Sequence, residues 1–247
     1  MKIAVISDIH GNMEALKAVL DDIKNEGCEK IFALGDYAMA GPEPVETVNW
    51  FMENTQKENI TMIQGNTDLM IADYNEELYN FISSKAPVMA EALKNDVTLL
   101  SNEQKDFFKS LEEQKLIEIE GVKILLVHGS PRKNNEDILP DISMDKLLEI
   151  LEGVEAGIVL CGHTHLPCGF QIPNKKIVVN VGSVGRPFTP EPKSCYLKMT
   201  LINGKVVFEH RFVEYNNEVA ANKLRERNFN GVEKLAKTLL DPQERHF

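Results

Sequence analysis

Short apolar runs that stop at polar turns recur along the chain, and between them apolar residues fall at helical spacing. Ile3 to Ile6 is one such run, ending at Ser7-Asp8, the pattern of a buried parallel strand. Leu16, Val19, Leu20 and Ile23 then mark one face of a helix over Met13 to Lys24. A second strand, Lys30 to Leu34, leads into Gly35-Asp36, after which Pro42 and Pro44 introduce a helix running to Thr55. A third strand, Thr61 to Gln64, runs into Gly65-Asn66. The order β-α-β-α-β implies a parallel sheet with right-handed crossovers, and so an α/β fold.

Leu69 to Leu116 is mostly helical in pattern and is expected to pack beside the sheet or partly cover a site there. Ile117 to Glu120 and Lys123 to Val127 flank Gly121 and suggest a hairpin ending at His128-Gly129. A helix around Met144 to Leu151 precedes a strand, Gly157 to Leu160. Gly169 to Val213 is β-rich, with hairpin turns expected at Lys175-Lys176 and Asn203-Gly204. The amphipathic tail from Asn216 to Leu240 reads first as a solvated capping helix and second as a subunit contact, which leaves a homo-oligomer open. With no repeat and no low-complexity linker, residues 1–247 are expected to form one domain, with the helical region at 69–116 and the tail at 216–247 as parts of it.

Composition narrows the classes. The 247 residues are 43% hydrophobic and 26% charged, ordinary for a globular protein, and exclude a disordered chain or a small disulfide scaffold. With 27 basic against 38 acidic residues the net charge is −11, which argues against stable nucleic-acid binding or an anionic membrane surface. The N-terminal apolar run breaks too early for a signal peptide, and no stretch reaches the roughly 20 apolar residues of a membrane span. A cytoplasmic location is therefore expected. Cys28, Cys161, Cys168 and Cys195 are irregularly spaced and read as free thiols.

Five polar clusters fall where strands are expected to stop, which in open α/β sheets is where sites form. In Asp8-Ile9-His10, residues i and i+2 of an extended segment face the same way and can grip one ion. Gly35-Asp36, Gly65-Asn66-Thr67-Asp68 and Val127-His128-Gly129 each read alone as a turn or a core histidine. Gly162-His163-Thr164-His165 is the most specific, with two imidazoles in a glycine-opened loop. Four of the chain's 6 histidines lie in these clusters, which random placement does not produce. Two aspartates, one asparagine and four histidines suit two divalent ions about 3.5–4 Å apart.

In this order, D-x-H, G-D, G-N, H-G and G-H-x-H resemble the calcineurin-like metallophosphoesterases, from Met1 to Val213. Gly65-Asn66-Thr67-Asp68 and the stretch Val179 to Ser183 are similar to the family's small prokaryotic phosphodiesterase branch. The resemblance implies a four-layer α/β/β/α sandwich. It also implies that Asp8, His10 and His165 hold one metal, that Asn66, His128 and His163 hold the other, and that Asp36 bridges them. Manganese leads among the candidate ions, with iron, nickel, cobalt and zinc also fitting mixed N/O ligands.

The implied activity is two-metal hydrolysis of a small nucleotide-like or organic phosphodiester, by in-line attack of a metal-bridging hydroxide. Asp36, Asn66 and His10 are the expected catalytic set. A phosphomonoesterase or protein phosphatase is the alternative, and a non-catalytic scaffold is disfavoured because all seven ligand positions are filled. Many family members carry a histidine after Gly-Asn to protonate the leaving group, whereas this chain has Thr67, a poor acid near neutral pH. Asp68 and His10 are candidate substitutes. Asn12, Thr67 and Arg186 are expected to meet substrate, with Arg186 clamping phosphate through its planar fork and Arg132 a weaker candidate for the same contact.

Overall fold

The computed structural model describes residues 1–54, 59–173, 176–202 and 205–243. Strand β1 (Lys2–Ile6) pairs in parallel with β2 (Lys30–Ala33), and β2 in parallel with β3 (Ile60–Met62). Helices α1 (Met13–Asn25) and α2 (Pro44–Asn54) make the two crossovers. The chain then runs through α3 (Asn66–Ala72), α4 (Glu76–Ser83), α5 (Pro87–Leu99) and α6 (Asn102–Ser110). Helix α3 begins at Asn66, so the Gly-Asn-Thr-Asp segment, expected to be a turn, forms a first helical turn capped by Gly65.

A second sheet follows. Strands β4 (Gln114–Ile119) and β5 (Val122–Val127) form the expected antiparallel hairpin around Gly121, whose φ of 77° suits a residue without a Cβ. After α7 (Met144–Ile150) come β6 (Ile158–Cys161), β7 (Cys168–Ile172) and β8 (Lys176–Asn180). The order in this sheet is β4-β5-β6-β8-β7. Strands β9 (Ser194–Ile202) and β10 (Lys205–Val213) return to the first sheet, giving it the order β10-β9-β1-β2-β3. Thr55, Lys175 and Asn203-Gly204, where a helix end and two turns were expected, lie outside the described residues.

The two sheets pack face to face through Val5, Phe32, Leu34 and Leu197 of the first and Ile124, Leu126 and Leu160 of the second. The first sheet's outer face, with Ile6, Ile31 and Met62, is covered by most of the helices. The second sheet's outer face packs against Leu147 and Ile150 of α7. The result is a four-layer α/β/β/α sandwich.

The tail differs from expectation. It forms two helices, α8 (Asn217–Glu226) and α9 (Val232–Leu240), rather than one solvated cap. Ala220, Ala221, Leu224, Leu235, Ala236 and Leu239 are buried in the same core as α1 and α5. Six apolar side chains taken from water are worth several kcal/mol, so the tail is part of the folding unit's core. Free Cys161 and Cys195 are buried and Cys28 and Cys168 half-buried. No helix among the described residues is long and apolar enough to cross a membrane.

Candidate metal centre

The polar clusters converge at the carboxyl ends of β1, β2, β5 and β6 and at the start of α3. Each loop leaves its strand by an abrupt bend. Asp8, His10, Asp36, His163 and His165 all have φ between 48° and 68°, the left-handed region that L-residues avoid. Such a residue costs about 1 kcal/mol or more. Five of them sum to roughly 5 kcal/mol, a large share of the ~5–15 kcal/mol that keeps a domain folded. Backbone strain of this kind persists where surrounding structure enforces it, and it concentrates at working sites. Two glycines make the close approach possible: a Cβ on Gly65 would lie 2.1 Å from Asp36 Oδ1, and one on Gly162 would lie 2.5 Å from Asp8 Oδ2.

Three imidazoles are held the same way. The Nδ1 atoms of His10, His128 and His165 lie 2.9, 2.7 and 2.5 Å from the carbonyl oxygens of Met39, Leu34 and Arg186. A carbonyl can only accept, so each Nδ1 carries a proton and each Nε2 faces inward. Asp8 Oδ1 sits among them, 3.2 Å from His165 Nε2 and 3.8 Å from the Nε2 of both His10 and His128. Asp36 Oδ2 is 3.3 Å from His128 Nε2 and 3.7 Å from His10 Nε2. Asp8 thus belongs to two clusters, with His10 and His165 and with Asp36 and His128.

The electrostatics follow from burial and these neighbours. Burial opposes ionisation of Asp8, yet the imidazoles, His165 foremost, hold its carboxyl far below the usual range. Burial acts likewise on Asp36, and His128 and His10 bring it down to about 2. For His128 burial disfavours the cation, but Asp36 and Asp8 outweigh it and push the ring up to about 10. Burial, reinforced by His165 and Arg186, brings His10 down to about 4.

These residues fit divalent cations. His10 Nε2 and His165 Nε2 are 3.1 Å apart with their lone pairs turned together. Two nitrogens each ~2.1 Å from a shared ion, at right angles, stand about 3.0 Å apart. Asp8 Oδ1, Asn66 Oδ1 and His128 Nε2 are buried without a hydrogen-bond partner, an arrangement that costs free energy unless a cation satisfies it.

The other nominated residues divide. The His163 ring lies 5.3 Å from that of His128, but its Nε2 faces Asp137 Oδ1 at 3.2 Å, and it is outside the two clusters. The His163 N–H still donates to Asp8 Oδ2 at 3.0 Å. Asn12, expected at substrate, is fully buried: its Oδ1 caps α1 by accepting from Ala15 N and its Nδ2 donates to Gly185 O. Thr67 donates its backbone N–H to Asp36 Oδ1 at 2.9 Å, while its hydroxyl reaches only Ala38 O at 3.4 Å. Arg186 is buried beside the cluster, with Nη1 3.8 Å from Met89 Sδ and its carbonyl on His165. Arg132 is not at the centre, being paired with Glu136 and Glu149.

Neither substitute acid stands free. Both ring nitrogens of His10 face the cluster or Met39. Asp68 is fully buried and accepts from the N–H groups of Asp36, Tyr37 and Gly65 at 2.8–2.9 Å, a strut between the β2 loop and α3. Asn180 plays the same part for the G-H-x-H loop. Its Nδ2 donates to Gly162 O and Thr164 Oγ1, and its Oδ1 accepts from Gly182 N. Sequence spacing missed both struts; the one local signal was Asp68 in the third position of a helix.

A calcineurin-like phosphoesterase superfamily domain model matches residues 1–203. An uncharacterised protein of Methanocaldococcus jannaschii is 31% identical over 210 residues, 78% of this chain and 80% of that protein. The crystal structure of a hypothetical protein from Pyrococcus horikoshii OT3 superposes with a TM-score of 0.85 at 25% identity, covering 98% of each chain. A metallophosphoesterase from Sphaerobacter thermophilus shares the fold, with a TM-score of 0.78 at 23% identity over 98% of this chain and 100% of its own.

Proposed function

This chain belongs to the calcineurin-like phosphoesterase superfamily, a family of metal-dependent phosphoesterases, and we propose that it is a two-metal phosphodiesterase of small, nucleotide-like or organic diesters. The observation that carries the metal-dependent reading is the pair of inward lone pairs on His10 and His165, 3.1 Å apart beside the partnerless Asp8 Oδ1. Held there, divalent ions, manganese first among them, would supply positive charge to acidify water and offset charge on phosphate oxygens.

The chain's own residues do the rest. Asp8, His10 and His165 would hold one ion and His128, Asn66 and Asp36 a second, to which His163 would add a donor if its ring left Asp137. The three Nδ1–carbonyl bonds fix each ring before any ion arrives, which removes a reorganisation cost. Thr67 N–H, donating to Asp36 Oδ1, steadies the carboxylate between the sets. Arg186 adds a buried guanidinium charge beside His10.

The preference for diesters rests on the likeness of Gly65-Asn66-Thr67-Asp68 and Val179 to Ser183 to the phosphodiesterase branch, and the preference for good leaving groups rests on the missing acid. General-acid help is worth about 10²–10⁴-fold, and Thr67 cannot give it. Assays of a chromogenic diester and its matching monoester, after chelation and readdition of manganese, test the reading. Turnover of the diester ahead of the monoester is expected, and no turnover with any divalent ion would defeat the proposal. Thr67→His should raise turnover of esters with poor leaving groups up to about a hundredfold and leave activated esters little changed.

A further inference from the structure

The residues that hold His10 are themselves held from far along the chain. His10 Nδ1 donates to Met39 O, and Met39 sits in a loop of two successive left-handed residues, with φ 77° at Met39 and 64° at Ala40. Neither residue is a glycine, so the bend must be imposed from outside. The loop crosses the first ligand segment at contact, since a Cβ on Gly41 would lie 1.5 Å from His10 O.

Two side chains impose that bend. Asp96, fully buried on α5, accepts the Met39 N–H on Oδ2 at 2.6 Å. Arg227, just past α8, pairs with Asp96 Oδ1 and also donates to Gly41 O, on the other side of the bend. Its Nε adds a bond to Asn95 Oδ1 at 3.1 Å. The pair is closed to water, with side chains 0% and 6% exposed. The ion pair thus grips both ends of the strained turn, Asp96 at Met39 and Arg227 at Gly41, and the carbonyl between them decides which His10 nitrogen carries the proton and where the ring points.

We propose that Asp96 and Arg227 are positioning residues for His10, acting through the Met39 peptide they clamp. The proposal rests on His10 being a metal ligand. It also ties the C-terminal tail to the site, because Arg227 lies beyond residues 1–203, the part matched by the family model, yet reaches back to the first ligand loop. Groups that orient a metal-bound histidine typically affect ion affinity 10–100-fold when removed, which sets the size of the expected effect.

The test is calorimetric titration of Mn²⁺ into the full chain and into Arg227→Lys, Asp96→Asn, His10→Ala and the double variant of Arg227→Lys with His10→Ala. Lysine keeps the buried charge opposite Asp96 but cannot fork to Gly41, so the fold survives while the turn loosens. Asp96→Asn keeps an acceptor for Met39 and removes the ion pair. Each single variant is expected to weaken Mn²⁺ binding about tenfold or more. In the His10→Ala background Arg227→Lys should change the affinity less than twofold, because the path through His10 is already cut. Equal losses in both backgrounds would overturn the proposal, as would wild-type affinity accompanied only by a lower melting temperature. If the wild-type chain takes up no Mn²⁺, the metal centre itself is wrong and the positioning role falls with it. That failure is distinct from one confined to the variants.

Discussion

The β1-β2-β3 sheet and the β4-β5-β6-β8-β7 sheet meet at one centre but hold their candidate ligands by different means. From the first come Asp8, Asp36, Asn66 and His10, on loops fastened by buried struts: Asn12 to Gly185, Asp68 to three N–H groups, and Asp96 with Arg227 to Met39 and Gly41. From the second come the other three imidazoles, on loops fastened by Asn180 and by the outer Arg132–Glu136–Glu149 cluster, whose side chains are 34%, 20% and 54% exposed. The contrast tracks the charges. Two carboxylates brought within reach of one another repel, and without an ion the stiff frame and the charged His128 ring beside both keep them there. Imidazoles impose no such demand, and the second sheet leaves His163 turned to Asp137.

If the first sheet carries the electrostatic part of the work, removing one of its charges should have the largest effect. Asp36→Asn keeps the shape but loses a negative charge beside His128, and kcat/KM is expected to fall about a thousandfold, some 4 kcal/mol. A matched change on the second sheet, His163→Gln, should cost less. Were the two losses equal, or reversed, the division of labour would be wrong.

The struts give a second, smaller contrast. Asp68→Ala orphans three buried N–H donors at about 1–3 kcal/mol each, so at least about 3 kcal/mol and about 10 °C of melting temperature are expected to go. Asn180→Ala also strips three contacts, but on the looser sheet, and about 2 kcal/mol is expected. Thermal melts of both variants in chelator compare the struts without interference from bound ions. An Asn180→Ala protein that melts below Asp68→Ala would place the stiffer frame on the other side.

The halves also differed in how far the chain announced them. The strands and the converging polar loops were legible because their signals are local: apolar runs of four or five residues, and histidines too rare to gather by chance. The struts were not, because each joins residues far apart. Arg227 and Asp96 are 131 positions apart and Asn12 meets Gly185 across 173, and no periodicity encodes such a meeting. Asn12 looked available for substrate because an Asn after Gly is equally good as a cap. The tail's amphipathic stripe fits a solvated helix or a buried one, and only the partner face on α1 and α5 decides. The left-handed bends at Asp8, His10, Asp36, His163 and His165 were hidden for a related reason, since local preference argues against them and tertiary contacts impose them.

The weakest effect belongs to the second sheet's outer tether. Arg132 donates to Glu136 and Glu149, and through Ser130 the cluster secures the turn that follows His128. The Arg132 bonds bring Glu136 from 4.5 down to about 2. A carboxyl lowered on folding adds stability that is in full force above its unfolded value. That stability fades as pH falls below about 4.5 and is gone below about 2. Urea unfolding of the wild type and Glu136→Gln should therefore differ slightly at pH 6 and converge toward pH 3, where the wild-type residue begins to lose its charge. Because these groups touch water, 0.5 M salt should narrow the same gap at pH 6. The Asp96–Arg227 pair, closed to water, should ignore that salt, and the Arg227→Lys defect in urea should be the same with and without it. A tether at Glu136 that also ignored salt would mean that the second sheet is braced as firmly as the first. The half-buried His163 turned toward Asp137, not the frame beneath it, would then be the source of the asymmetry.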